Sequence, residues 1–183
     1  MPEEIRIPKQ KRSIEKKEAL KKAAVELFST KGFHNTSSNE IAKKANVSIG
    51  TFYSYFVDKK SLYEELITDL YNESLQEITI MDVSEFTSPR EFVRKYVALI
   101  LHNHEYMTAF QKEISALSLQ YDDLHELEAR ARAGAFQTFF SLLEINKKML
   151  RISDLKTTSL ILQCALESVV HEVTFYENDY DKE

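Results

Sequence analysis

Apolar residues recur along this chain at intervals of three and four, the spacing of one helix face. Leu20, Ala24, Leu27 and Phe28 mark a first helix over about 13–31, closed by Gly32, where a helix C-terminus favours a left-handed residue. Ser37-Ser38-Asn39-Glu40 has the capping-box spacing and opens a short helix with Ile41, Ala42 and Ala45 inward. Asn46 tolerates a positive φ and predicts a tight turn there. Ser48 then caps a second short helix through Phe56, with Phe52 and Phe56 on one side. Asp58 caps a fourth helix carrying Leu62, Leu66, Leu70 and Leu75, unbroken to about Gln76. After a connection over 80–88, Ser88-Pro89-Arg90-Glu91 starts a helix running to about His104. Three more are predicted, over about 107–119, 123–150 and 153–177. No segment carries the sustained alternation of a strand, so the expected fold is all-α.

Composition supports that class. Three glycines and three prolines in 183 residues leave few sharp turns, too few for a sandwich or barrel. The single cysteine, Cys164, excludes an intrachain disulfide framework and a multi-cysteine zinc site, and is expected to be a small buried packing residue. The N-terminal stretch lacks the apolar core of a secretory signal, and no run is long enough to span a membrane, so the expected location is cytoplasmic. Charge is uneven: residues 1–62 hold 13 basic and 7 acidic side chains, residues 63–183 hold 11 and 22. A basic head on an acidic body predicts a polyanion as the partner of the head.

Two short capped helices around a four-residue turn, residues 37–56, follow the helix-turn-helix plan, whose second helix enters the DNA major groove. The residue types suit that task. Ser48 offers a hydroxyl at a helix start, Gly50 lets backbone approach DNA, and Thr51, Tyr53, Ser54 and Tyr55 carry hydroxyls. Lys59 begins the next helix, where a phosphate contact is expected. The competing explanation is an ordinary polar helix pair, common in all-α proteins.

The stretch from Leu20 to Tyr63 resembles the N-terminal domain of the TetR family of bacterial transcription regulators. The resemblance lies in Leu20, Ala23-Ala24, Leu27-Phe28, Lys31-Gly32-Phe33, Thr36, Ile41-Ala42 and Ala45-Asn46-Val47-Ser48-Ile49-Gly50-Thr51-Phe52-Tyr53-Ser54-Tyr55-Phe56, then Lys59 and Leu62. Asn46 stands where the family usually has Gly, and Phe52 where Leu or Ile is commoner. The resemblance implies three domains: a flexible basic arm (1–12), a three-helix DNA-binding domain (13–62), and a ligand-binding and dimerisation bundle (63–183), joined by a continuous helix. It implies that Thr36, Ser48, Gly50, Thr51, Tyr53, Tyr55 and Lys59 touch DNA. Thr36, Tyr53, Tyr55 and Lys59 would mainly hold phosphates; Ile49, Gly50 and Ser54 would face bases, Ile49 through a contact such as a thymine methyl. Arg6, Lys9, Lys11 and Arg12 could reach a groove or the flanking backbone.

For the body, Tyr96, Ile100, Phe110, Phe136 and Phe140, with Gln163 and Glu167 among them, form a candidate lining for a mostly hydrophobic or amphipathic effector. Ordinary core packing competes for each aromatic. Gly134, inside a long helix, reflects close helix contact or room for a ligand. No metal, cofactor or catalytic residue is expected: His102 and His104 point to different sides of their helix, the acids 122–128 complement a helix dipole, and no enzymatic motif occurs. The chain stops soon after one long terminal helix where the family usually has two, which implies a short terminus or a final helix absent from this sequence. The function expected from the resemblance is a homodimeric repressor, released from double-stranded operator DNA by its effector. The alternative is a DNA-bound adaptor whose body binds a protein partner.

Overall fold

The computed structural model describes residues 11–79, 88–105, 108–145, 147 and 152–175. All eight expected helices form: α1 (Lys11–Lys31), α2 (Ser38–Lys44), α3 (Ile49–Tyr55), α4 (Lys59–Thr79), α5 (Pro89–Glu105), α6 (Thr108–Ser118), α7 (Asp122–Ile145) and α8 (Leu155–Phe175). No strand occurs among the described residues. Residues 1–10 of the arm expected over 1–12, residues 80–87 of the connection expected over 80–88, and the expected continuations of α7 over 148–150 and of α8 over 176–177 lie outside them; Lys11 and Arg12, expected in the arm, begin α1 instead.

The starts and stops follow local chemistry. The Ser37 side chain accepts the Glu40 N–H, while the Glu40 carboxylate accepts the Ser37 N–H, completing the box that opens α2. Asn46 takes φ 55° after α2, with its N–H donating to the Lys43 carbonyl and the Val47 N–H to the Ala42 carbonyl. Those two bonds make the left-handed close that glycine more often supplies. Gly32 ends α1 at φ 80°. Asp122 and Asp123 sit in the first turn of α7, as their helix-dipole role requires.

The chain divides into two compact units. The first, the head, holds residues 11–69 together with Ala109–Leu124, so α6 and the start of α7 belong to it. Its edge at Asp69 lies past the expected boundary at residue 62: Leu66 and Ile67 are buried, and Glu65 and Asp69 pair with Lys17 and Lys21 of α1. Phe28, Phe33, Tyr63 and Phe110 pack ring on ring, Tyr63 lying 5.1 Å from Phe33 and 4.9 Å from Phe110. Phe110, expected in the effector lining of the body, is therefore a core residue of the head, fully buried against α1 and α4. Sequence periodicity shows only that Phe110 points inward, not which core receives it.

The second unit, the body, takes the described parts of Leu70–Thr108 and His125–Glu183. Its core gathers Ile78, Phe92, Tyr96, Phe139, Leu142, Leu143 and Leu155, with Leu99, Ile100, Phe140 and Leu166 packed against it. Gly134 admits ordinary contact only: a Cβ there would stand 3.6 Å from Leu75. Among the described residues, no helix is long and apolar enough to cross a membrane, and no group of three or more His, Cys, Asp or Glu could hold a metal.

Candidate nucleic-acid interface

α3 is seven residues long, too short to be stable alone, and is held by its ends and its buried face. Ser48 caps it, its hydroxyl accepting the Thr51 N–H at 3.1 Å and bonding the Thr51 hydroxyl at 2.9 Å. Phe52 and Tyr55 anchor it from below. Ser54 donates to the Thr51 carbonyl at 2.7 Å, so that hydroxyl is engaged within its own helix. The outward side shows Gly50, the half-exposed Tyr53 and, at the margin, Ile49. A Cβ at Gly50 would meet only the Ser48 hydroxyl, at 3.8 Å, so nothing inside the protein requires glycine there.

Between α2 and α3 runs an open groove of about 460 Å³, lined by Asn39, Lys43, Asn46, Val47, Ser48 and Ile49 with Ala42 at its floor. It brings Ser48 and Ile49 beside Asn39 and Lys43. Those last two were not singled out from the sequence, where nothing marks a surface Asn and Lys of α2 as neighbours of α3.

Three expected DNA-contact residues are turned inward instead. Tyr55 is buried, and its hydroxyl shares a 2.9 Å hydrogen bond with buried Ser13 of α1. Thr36 is buried and donates to the Gly32 carbonyl at 2.9 Å. The Lys59 ammonium donates to the carbonyls of Phe33 (2.6 Å), Thr36 (2.8 Å) and, more weakly, His34 (3.4 Å), and lies over the Phe33 ring. An ammonium has three protons, and each has a partner here. Burial pushes the Lys59 pKa below its ordinary value, against the opposing pull of Glu113 and Glu40. A phosphate contact by any of the three would have to break these bonds.

A residue from far along the chain completes this corner. Glu113 of α6 accepts the Phe33 N–H at 2.7 Å, and its carboxylate would lie 3.0 Å from a Cβ on Gly32. The α6–α7 corner adds His34–Gln120 (3.2 Å), Tyr121 against His34 and Phe33, and the Lys60–Asp123 ion pair. On the other side of the head, Lys17 and Lys21 of α1 pair with Glu65 and Asp69 of α4. Of the expected body residues, Tyr96 is core, Ile100 and Phe140 pack against it, and Phe136 lies 6.1 Å from Phe140. Gln163 bonds Glu167 at 2.8 Å.

A capped, outward-facing second helix on a helical head, with a second helical unit beyond it in the chain, defines a helix-turn-helix protein of the one-head, one-body kind. Residues 20–66 match the family model of the bacterial regulatory proteins, tetR family. It is 29% identical over 137 residues to the uncharacterized HTH-type transcriptional regulator YuxN of Bacillus subtilis, covering 73% of this chain and 47% of that one. To YdgC of the same organism, another uncharacterized HTH-type regulator, it is 41% identical over 61 residues, 33% of this chain and 31% of that one. The chain thus spans less than half the length of these curated relatives. A Mesorhizobium loti protein assigned to the TetR family shares the fold with a TM-score of 0.77 at 21% identity, over 94% of this chain and 90% of its own. The fatty acid degradation regulator of Bacillus halodurans does so with a TM-score of 0.72 at 21% identity, over 91% and 86%.

Proposed function

We propose that this chain is a homodimeric, sequence-specific DNA-binding transcriptional repressor, released from its operator by a small, mostly hydrophobic or amphipathic effector bound in the body. The observation that carries the DNA-binding part is the outward face of α3: an exposed glycine with open space around it, beside a half-exposed tyrosine. Gly50 is the second residue of α3; glycine in a helix costs up to about 1 kcal/mol relative to alanine, and close approach of a rigid external surface offsets that cost. Ser48, Ile49, Gly50 and Tyr53 then form the contact set, with Asn39 and Lys43 alongside. Thr51 and Ser54 shape the helix, while Thr36, Tyr55 and Lys59 position it.

Dimerisation is supported by the outer face of α8. Ile161, Ala165, Ser168, Val169 and Cys164, which was expected to be buried, are all exposed and fall on one helical stripe, opposite the buried Leu155, Ser159, Gln163 and Val170. Small residues between two β-branched ones permit a second α8 to approach closely. Two heads then reach successive major grooves about 34–36 Å apart, and an effector that binds the released form better shifts the population away from DNA.

The test is fluorescence anisotropy on DNA flanking the protein's own gene, backed by selection from random duplexes. Tyr53→Ala and Ile49→Ala are expected to weaken binding tenfold or more with helicity unchanged, and Val169→Asp to yield monomers that bind weakly. Failure to select any sequence would overturn the reading.

A further inference from the structure

The inward face of α8 is unusually polar for a helix packed in a core. Leu155, Ser159, Gln163 and Glu167 follow one another at four-residue spacing, and the first three are buried. Ser159 is satisfied within the helix, donating to the Leu155 carbonyl at 2.7 Å. Gln163, only 5% exposed, donates its amide N–H to the Glu167 carboxylate at 2.8 Å. A carboxylate only accepts, so the amide nitrogen must face it and the amide oxygen must point away. That oxygen is buried and accepts no hydrogen bond, an arrangement native interiors rarely keep without a use.

Acidic groups act on the phenols of the same unit. Burial first, and Glu167 after it, pushes the Tyr96 phenol pKa well up. Burial, then Glu128, pushes that of Tyr71 up to about 12, with Arg132 opposing and Glu167 adding to the rise. Glu167 thus shares an interior with two phenols and a second carboxylate. The Glu128 side chain is 12% exposed, and its partner Arg132, 3.2 Å away, is 62% exposed. The acids face inward while their cation faces solvent. An anionic ligand would set its oxygens against Glu167 and the Gln163 carbonyl. A ligand with a positive nitrogen and N–H donors would answer both.

Resting on the effector-regulated reading above, we propose that the body binds an organic ammonium ion: an N–H donated to the Gln163 amide oxygen, the charge beside Glu167, and an apolar portion among the body's apolar side chains. An apolar surrounding with a few fixed polar groups is the usual build of a small-molecule site.

The experiment is calorimetric titration of the full chain with three probes of equal chain length: octylammonium, octanol and octanoate. Octylammonium is expected to bind at least tenfold more tightly than the other two, and Glu167→Gln to reduce that preference to threefold or less. Equal binding of the three, preference for octanoate, or binding of none would overturn the proposal, and the wild-type comparison decides this without any variant. Operator affinity is measured in parallel. Octylammonium bound with operator affinity unchanged would support the site and overturn effector release, whereas no probe bound with operator affinity intact would overturn the site alone.

Discussion

Two glycine-bearing segments of the head use similar residues to opposite ends. Around Gly32 lie a threonine, an aromatic and a lysine, and every polar group of the set turns inward: Thr36 to the Gly32 carbonyl, Lys59 to three carbonyls, the Phe33 N–H to Glu113. Around Gly50 lie serine, threonine and tyrosine, and the glycine itself faces open space. At Gly32 the backbone needs φ 80°, which side chains resist, and a carboxylate oxygen stands 3.0 Å from where a Cβ would be. At Gly50 the backbone needs nothing special. One segment holds the fold, and the other is held out for something else. Family resemblance alone merges them, because residues of both segments belong to one motif.

The largest expected effect breaks the holding segment. Lys59→Met removes charge-assisted bonds to carbonyls that would lose their partner, and should lower stability by about 2–3 kcal/mol, read by urea unfolding. The salt dependence of operator binding by the remaining folded protein should stay as in the wild type. A slope reduced by about one would make Lys59 a phosphate contact and erase the distinction between the segments.

Gly32→Ala comes next. A left-handed alanine costs roughly 1–2 kcal/mol, and its Cβ would crowd the Glu113 oxygen that accepts the Phe33 N–H. Faster hydrogen exchange at the Phe33 amide, together with the lost stability, would show that α6 pins this corner. Unchanged exchange would mean that Glu113 is a bystander.

Gly50→Ala sharpens the comparison because its two readouts part ways. Stability should rise by up to about 1 kcal/mol, since the new methyl meets only the Ser48 hydroxyl, while operator affinity falls. If affinity is retained, Gly50 is not a point of close approach.

The helices, the capping box, the left-handed Asn46 and the close at Gly32 were legible in the sequence, because each depends on residues within a few positions of one another. Glu113 was not. Its partners lie 80 residues away, and a glutamate in an amphipathic helix looks solvated until tertiary structure places it. Phe110 failed for the same reason: its inward direction was visible, its destination was not. Tyr55 and Lys59 were recognised as motif residues, but a motif records which residues occur together, not whether a hydroxyl or ammonium faces inward. Ser13, which fixes the Tyr55 direction, sits 42 positions earlier at the edge of an expected loose arm.

The smallest expected effect belongs to the edge between the two segments, where Glu40 ties the start of α2 to Lys31 beside Gly32. The Lys31 ammonium, then the Ser37 N–H and hydroxyl, hold the Glu40 carboxyl at about 2 against an ordinary 4.5. A folded-state pKa below the unfolded one stabilises the native state above the unfolded value, and that contribution is lost as pH falls through the folded one. Wild type should therefore exceed Glu40→Gln in stability at neutral pH. The gap should hold down to about pH 4.5 and close between there and about pH 2, where the protonated acid resembles the amide. Urea midpoints for both proteins across that range give the curve. A gap that persists at pH 2 would mean that the carboxylate charge contributes nothing and that the cap is a matter of shape. A gap that closes while Gly50→Ala stays insensitive to pH would set the ion-paired edge of the holding segment apart from the helix held outward beside it.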